Sequence, residues 1–134
     1  MRTYVFDAGA ILAWVLDKPG VMQVRRVLDD AMRARSEIVM SAINFGEVYS
    51  TLLRAYDFDR ASAMMRTLQP LPIKLVSVDR QVALSAAAVK VKYRLYYADS
   101  FAAALAIERK ATLVTADSDF RRLGHGFPIL WLKA

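Results

Sequence analysis

Five short apolar runs, the first four each followed by a stretch whose apolar residues recur at helical spacing or by a turn, constrain this chain more than any other feature. The runs are Thr3 to Phe6, Ile38 to Met40, Lys74 to Val78, Thr112 to Thr115 and Ile129 to Leu132. Between them the spacing predicts helices over Ala10 to Leu16, Val21 to Arg35, Ser41 (as cap) to about Tyr56, Asp59 to Leu68, Arg80 to Tyr93 and Asp99 to Lys110, with a short one from Asp119 to Leu123. Lys18-Pro19-Gly20 and Pro70-Leu71-Pro72 supply the breaks. Strands alternating with helices imply a parallel sheet covered on both faces, a three-layer α/β/α arrangement. With 134 residues, no repeat and no linker, residues 1–134 are expected to form one domain.

In such sheets ligands bind beyond the carboxyl ends of the strands. Asp7 follows the first strand and Asp117 follows the fourth, so both are expected at that edge. Glu47 lies in the helix after the second strand, on a face shared with Asn44, Thr51 and Arg54. Asp99 is placed in the first turn of a helix whose same face offers Ala103 and Ala106, small enough for close approach to the sheet. Asp119 stands two residues beyond Asp117. Each acid has a local explanation: Asp7, Asp99 and Asp117 suit helix N-termini, and Glu47 and Asp119 suit solvated helix surface. Jointly they say more. Carboxylates converging on one edge repel one another unless a cation sits among them.

An all-oxygen donor set suits Mg²⁺ or Mn²⁺. The chain has no cysteine, which excludes disulfides, thiol catalysis and thiolate metal sites, and its only histidine, His125, lies in the loop Gly124-His125-Gly126. Nineteen Lys and Arg against thirteen Asp and Glu leave a net charge of +6, which suits a polyanionic partner. The apolar run Ala8 to Leu16 is too short to span a membrane and lacks the build of a signal peptide. A cytoplasmic protein is the expectation.

Four segments resemble the acidic motifs of the PIN-domain family: Val5-Phe6-Asp7-Ala8, Ile43-Asn44-Phe45-Gly46-Glu47-Val48-Tyr49, Tyr97-Ala98-Asp99-Ser100-Phe101 through Ala106, and Leu113-Val114-Thr115-Ala116-Asp117-Ser118-Asp119-Phe120. The likeness runs through essentially the whole chain and is nearest to the VapC-like toxin branch. It implies a sheet of about five parallel strands, and Asp7, Glu47, Asp99 and Asp117 as a quartet around one or two Mg²⁺ or Mn²⁺ ions. Asp119 matches a less constant fifth acid, Thr115 a hydroxyl near the site, and Asn44 a polar position of the second motif. The implied activity is metal-dependent endoribonuclease cleavage leaving 5′-phosphate and 3′-hydroxyl ends. The implied partners are RNA, a co-expressed antitoxin and a second copy of the chain. Gly9 departs from the pattern, since relatives often carry Ser, Thr or Asn there.

Arg54 and Arg94 are candidates to follow an RNA backbone, and Tyr96 or Tyr97 to stack on a base, with core packing expected for at least one tyrosine. Leu12, Trp14, Leu52, Leu53 and Tyr56 offer apolar surface that would serve a homodimer. The main alternative is a PIN scaffold that binds RNA or protein without catalysis. Two phosphate enzymes on similar sheets fit less well. Aspartyl phosphatases need a second acid where this chain has Gly9, and receiver domains need one after a middle strand, where only Asp79 stands.

Overall fold

A computed structural model describes residues 1–133. The order is β1 (Arg2–Phe6), α1 (Ala8–Val15), α2 (Val21–Met32), β2 (Ser36–Ser41), α3 (Ala42–Ala55), α4 (Phe58–Arg66), β3 (Ile73–Val76), α5 (Arg80–Tyr93), α6 (Tyr97–Arg109), β4 (Thr112–Thr115), a 3-10 helix (Ser118–Leu123) and β5 (Ile129–Trp131). All strand pairings are parallel, and the strands lie in the order β3-β2-β1-β4-β5.

The two-residue period of a strand sends neighbouring side chains to opposite faces. Phe6, Ile38, Met40 and Val114 enter one core with Ile11, Val24, Val48 and Leu52 from α1, α2 and α3. Val5, Val39 and Leu113 enter the other, where α6 contributes Ala102, Ala103, Leu105 and Ala106. The expected three layers are therefore present. The alanines of α6 let that helix lie close to the sheet, and both Ala103 and Ala106 are fully buried. Helix α5 packs on α6 rather than on the sheet, with Ala86 against Phe101 and Ala104.

Several boundaries differ from the sequence expectation. Helix α2 stops at Met32 instead of Arg35, because Ala34 turns left-handed (φ 59°) and the chain enters β2 at Ser36. Strand β3 is shifted to Ile73–Val76, in register with Ile38–Ser41 of β2. The segment near Asp119 is a 3-10 turn, as suits a six-residue connector. Gly20 is buried and left-handed (φ 93°), and an added Cβ would meet the Leu132 Cβ at 2.8 Å. Only glycine fits there.

The apolar set proposed for a dimer face is divided between core and surface. Leu12 and Leu52 are buried, and Trp14 and Tyr56 pack against the same core, which leaves Leu53 exposed. Among the described residues no helix is long and apolar enough to cross a membrane.

Candidate active site

The acids gather because of where parallel α/β connections begin and end. A helix that returns between parallel strands starts at the carboxyl edge of the sheet, which puts the first turns of α3 and α6 beside the ends of β1 and β4.

Asp7 is the residue after β1, and its N–H donates to the Val114 carbonyl at 3.4 Å, one rung beyond the strand. Its side chain caps α1, with Oδ1 accepting the Ala10 N–H at 2.9 Å, and Oδ2 accepts the Thr115 hydroxyl. Helix cap and site residue are rival readings of Asp7 in the sequence; the capping is real, and the carboxylate still belongs to the acidic group. Thr115, fully buried at the end of β4, also accepts the Asp117 N–H on Oγ1 at 3.0 Å. Asp117 in turn caps the 3-10 helix, its Oδ1 accepting the Asp119 N–H at 2.9 Å. One relay thus runs from Asp7 through Thr115 and Asp117 to Asp119.

On the opposite side, the Asn44 amide donates to Glu47 Oε1 at 2.9 Å and to the Ala98 carbonyl at 3.0 Å. It ties α3 to the first turn of α6 directly before Asp99. The other amide atom, Oδ1, is buried without a hydrogen-bond partner.

Asp99, Asp117 and Asp119 can each bring one carboxylate oxygen to within 4.8 Å of the others. Asp119, read locally as a solvated first-turn acid and by resemblance as a less constant fifth acid, belongs to this group. Asp7 and Glu47 stand close enough to act on it electrostatically. Burial, then the charges of Asp117, Glu47, Asp7 and Asp119, push Asp99 up to about 7. Burial pushes Asp7 up to about 6, against the lowering effect of its bonds from Thr115 and Ala10, with Asp117 and Glu47 adding to the rise. Five carboxylates share one edge.

The sequence matches the PIN domain family over residues 4–126. This chain belongs to the PIN domain family. No curated protein matches it by sequence. Among solved structures it is similar to VapBC2 from Rickettsia felis bound to a DNA fragment from the promoter (TM-score 0.78, 14% identity, 98% of this chain and 100% of that one). VapC20 of Mycobacterium tuberculosis, described as a sarcin–ricin loop cleaving toxin, gives a TM-score of 0.72 at 15% identity over 98% of this chain and 99% of that one. A toxin–antitoxin complex from Klebsiella pneumoniae gives 0.63 at 19% identity, over 95% of each chain.

For a divalent cation, the PIN domain's donor set fits. It is all oxygen and anionic, burial and then neighbouring carboxylates hold Asp99 and the adjacent Asp7 well above their ordinary pKa, and a positive charge would relieve both.

The remaining candidates are placed less tightly. Arg54 is exposed at the far end of α3, seven residues and about 10 Å along the axis from Glu47, and bonds Thr51 at 3.3 Å. Arg94 caps α5 in a left-handed conformation, exposed beside Tyr96 and Tyr97. Neither tyrosine is in the core: Tyr96 is 73% exposed and Tyr97 53%, the latter touching Phe101 edge-on with centroids 5.0 Å apart. Their position at the start of a helix, where the chain leaves a turn, keeps them outward.

Gly9 leaves room beside Asp7, since a Cβ there would come within 3.3 Å of Oδ1. Sequence reasoning missed Arg122. It pairs with Asp119 at 3.7 Å and donates to the Arg94 carbonyl at 2.8 Å. The i,i+3 spacing to Asp119 was the available signal.

Proposed function

We propose that this PIN domain is a divalent-cation-dependent endoribonuclease and the toxin of a toxin–antitoxin pair. The observation that carries the reading is the convergence of Asp99, Asp117 and Asp119 within 4.8 Å, with Asp7 and Glu47 raising the same site's proton affinity. The toxin assignment rests on likeness, since similar structures include a toxin–antitoxin complex and a toxin described as cleaving the sarcin–ricin loop.

Asp99, Asp117 and Asp119 would hold Mg²⁺ or Mn²⁺, with Asp7 and Glu47 completing the acidic surround. A bound divalent cation supplies Lewis acidity toward a phosphate oxygen and makes water a nucleophile near neutral pH. The protein's own part is orientation. Thr115 and the Ala10 N–H fix the direction of Asp7, and Asn44 fixes Glu47, so neither carboxylate has to be ordered when substrate arrives. With its carboxyl pushed up to about 7 by burial and its acidic neighbours, Asp99 would lose its proton to the charge of a bound cation near neutral pH. The positive balance of +6 favours a polyanion. RNA hydrolysis through this site needs no protein nucleophile, in keeping with a chain without cysteine and with its single histidine exposed in a loop. The work is assigned to the cytoplasm, and the antitoxin is the partner that would cover the acids.

Induced expression in a bacterial host tests the toxin reading. Wild-type protein should arrest growth while Asp99→Asn, made at the same level, should not. Equal arrest by both, or by neither, contradicts it.

A further inference from the structure

The molecule carries a second feature beside the acids, an open cleft between the end of α5, the start of α6 and the 3-10 helix. Its walls present Lys90, Arg94, Tyr96, Tyr97 and Arg122. We infer that this cleft takes a single-stranded segment of RNA, with the rings of Tyr96 and Tyr97 against bases and the three cations against phosphates. The inference rests on the nuclease reading for its polarity, and on the cleft's own chemistry for its ligand.

Three observations support it. The first is charge. Lys90, Arg94 and Arg122 are exposed, and among the described residues the one carboxylate paired with any of them is Asp119, which Arg122 reaches at 3.7 Å. The second is aromatic surface left open to solvent. Two adjacent tyrosines stand 73% and 53% exposed, which leaves ring surface on which unpaired bases can stack. Tyr97 is held by its edge-on contact with Phe101, so less rotamer freedom is lost when a base arrives.

The third is continuity with the acids. Tyr97 begins the helix whose first turn carries Asp99, and Arg122, a lining residue, bonds both the Arg94 carbonyl in the cleft and Asp119 in the acidic group. A strand whose phosphate lay among the acids would have the cleft beside it. Arg54, two turns away on α3, lies on a different element and is not part of it.

The test is equilibrium binding of a fluorescein-labelled RNA oligonucleotide of mixed sequence to the full chain, in chelator so that nothing is cut. Acid repulsion is then the same for every variant. The cleft predicts tighter binding of the single strand than of the same strand annealed to its complement. Tyr96→Ala should weaken binding roughly five- to hundredfold, and Tyr96→Phe should keep it. In Lys90→Ala/Arg94→Ala the salt dependence of log K should fall by about 0.7 for each phosphate that is no longer neutralised.

Wild-type affinity in both Tyr96→Ala and the double variant would overturn the inference. So would preference for the duplex, or no RNA binding by wild-type protein. If wild type cuts RNA in Mn²⁺ while these variants bind normally, the cleft fails and the nuclease stands. If binding follows the prediction but wild type never cuts, the nuclease fails and the cleft stands.

Discussion

Thr115 is the residue on which the acidic group turns. Its hydroxyl donates to Asp7 and accepts from the Asp117 N–H, so Thr115→Val, close in volume, removes two supports without changing the packing. The Asp117 N–H is only partly buried, so leaving it without this partner costs less than the about 1–3 kcal/mol of a fully buried donor. Loss of such an outer support should lower Mn²⁺ affinity roughly 10–100-fold, read by calorimetric titration. Unchanged affinity would show that Asp7 and Asp117 orient themselves.

Asp7 and Asp99 also make the metal-free chain sensitive to pH. Both titrate above their ordinary value of 3.8, at about 6 and about 7. Between the ordinary and raised values the folded chain holds more protons than the unfolded one. Their contribution is therefore fully present below pH 3.8 and is lost as pH rises through about 6 to 7. In chelator, the melting temperature should fall across that window. Asp99→Asn, which cannot ionise, should flatten the fall and raise the melting temperature near neutral pH. A melting temperature that rises across the window in wild type would refute the placement of these acids.

At the scale of elements, the carboxyl-edge rule made Asp7 and Asp117 legible, because a strand's end is visible wherever its apolar run stops. Asp99 was legible through Ala103 and Ala106, which mark the buried face of α6. Bonds between elements were not. The Asn44 amide bonded to the Ala98 carbonyl joins positions 54 residues apart, and no local period encodes that. Arg122 escaped for the same reason, since its second partner is a backbone carbonyl 28 residues away. Tyr96 and Tyr97 misled in the opposite direction: aromatic type favoured the core, and the turn before α6 decided otherwise.

Two glycines separate the roles an element can give that residue. Gly46 lies inside α3, where an added Cβ would meet nothing within 4 Å, so Gly46→Ala should stabilise by about 0.5–1 kcal/mol in denaturant unfolding. Gly20→Ala should destabilise by more than about 1–2 kcal/mol, because left-handed backbone and the Leu132 contact act together. Equal effects of the two would mean that α3 and the α1–α2 turn are misplaced.

For the whole molecule, the fold concentrates negative charge at one edge of a protein whose net charge is +6. A cation that binds only the folded state stabilises it by mass action. Mn²⁺ should raise the melting temperature of wild type and leave Asp99→Asn nearly unmoved. The same arrangement predicts that RNA is drawn in by the basic surround and cut only when the acids are charge-compensated.

The most direct measurement of that claim is the rate at which purified protein cuts end-labelled RNA in Mn²⁺, in chelator, and as Asp99→Asn of verified fold. The acidic group predicts internal cuts in Mn²⁺, none in chelator, and a loss in the variant exceeding the roughly 10–100-fold typical of outer-shell changes. Cutting that persists in chelator, or in folded Asp99→Asn at the wild-type rate, would contradict it.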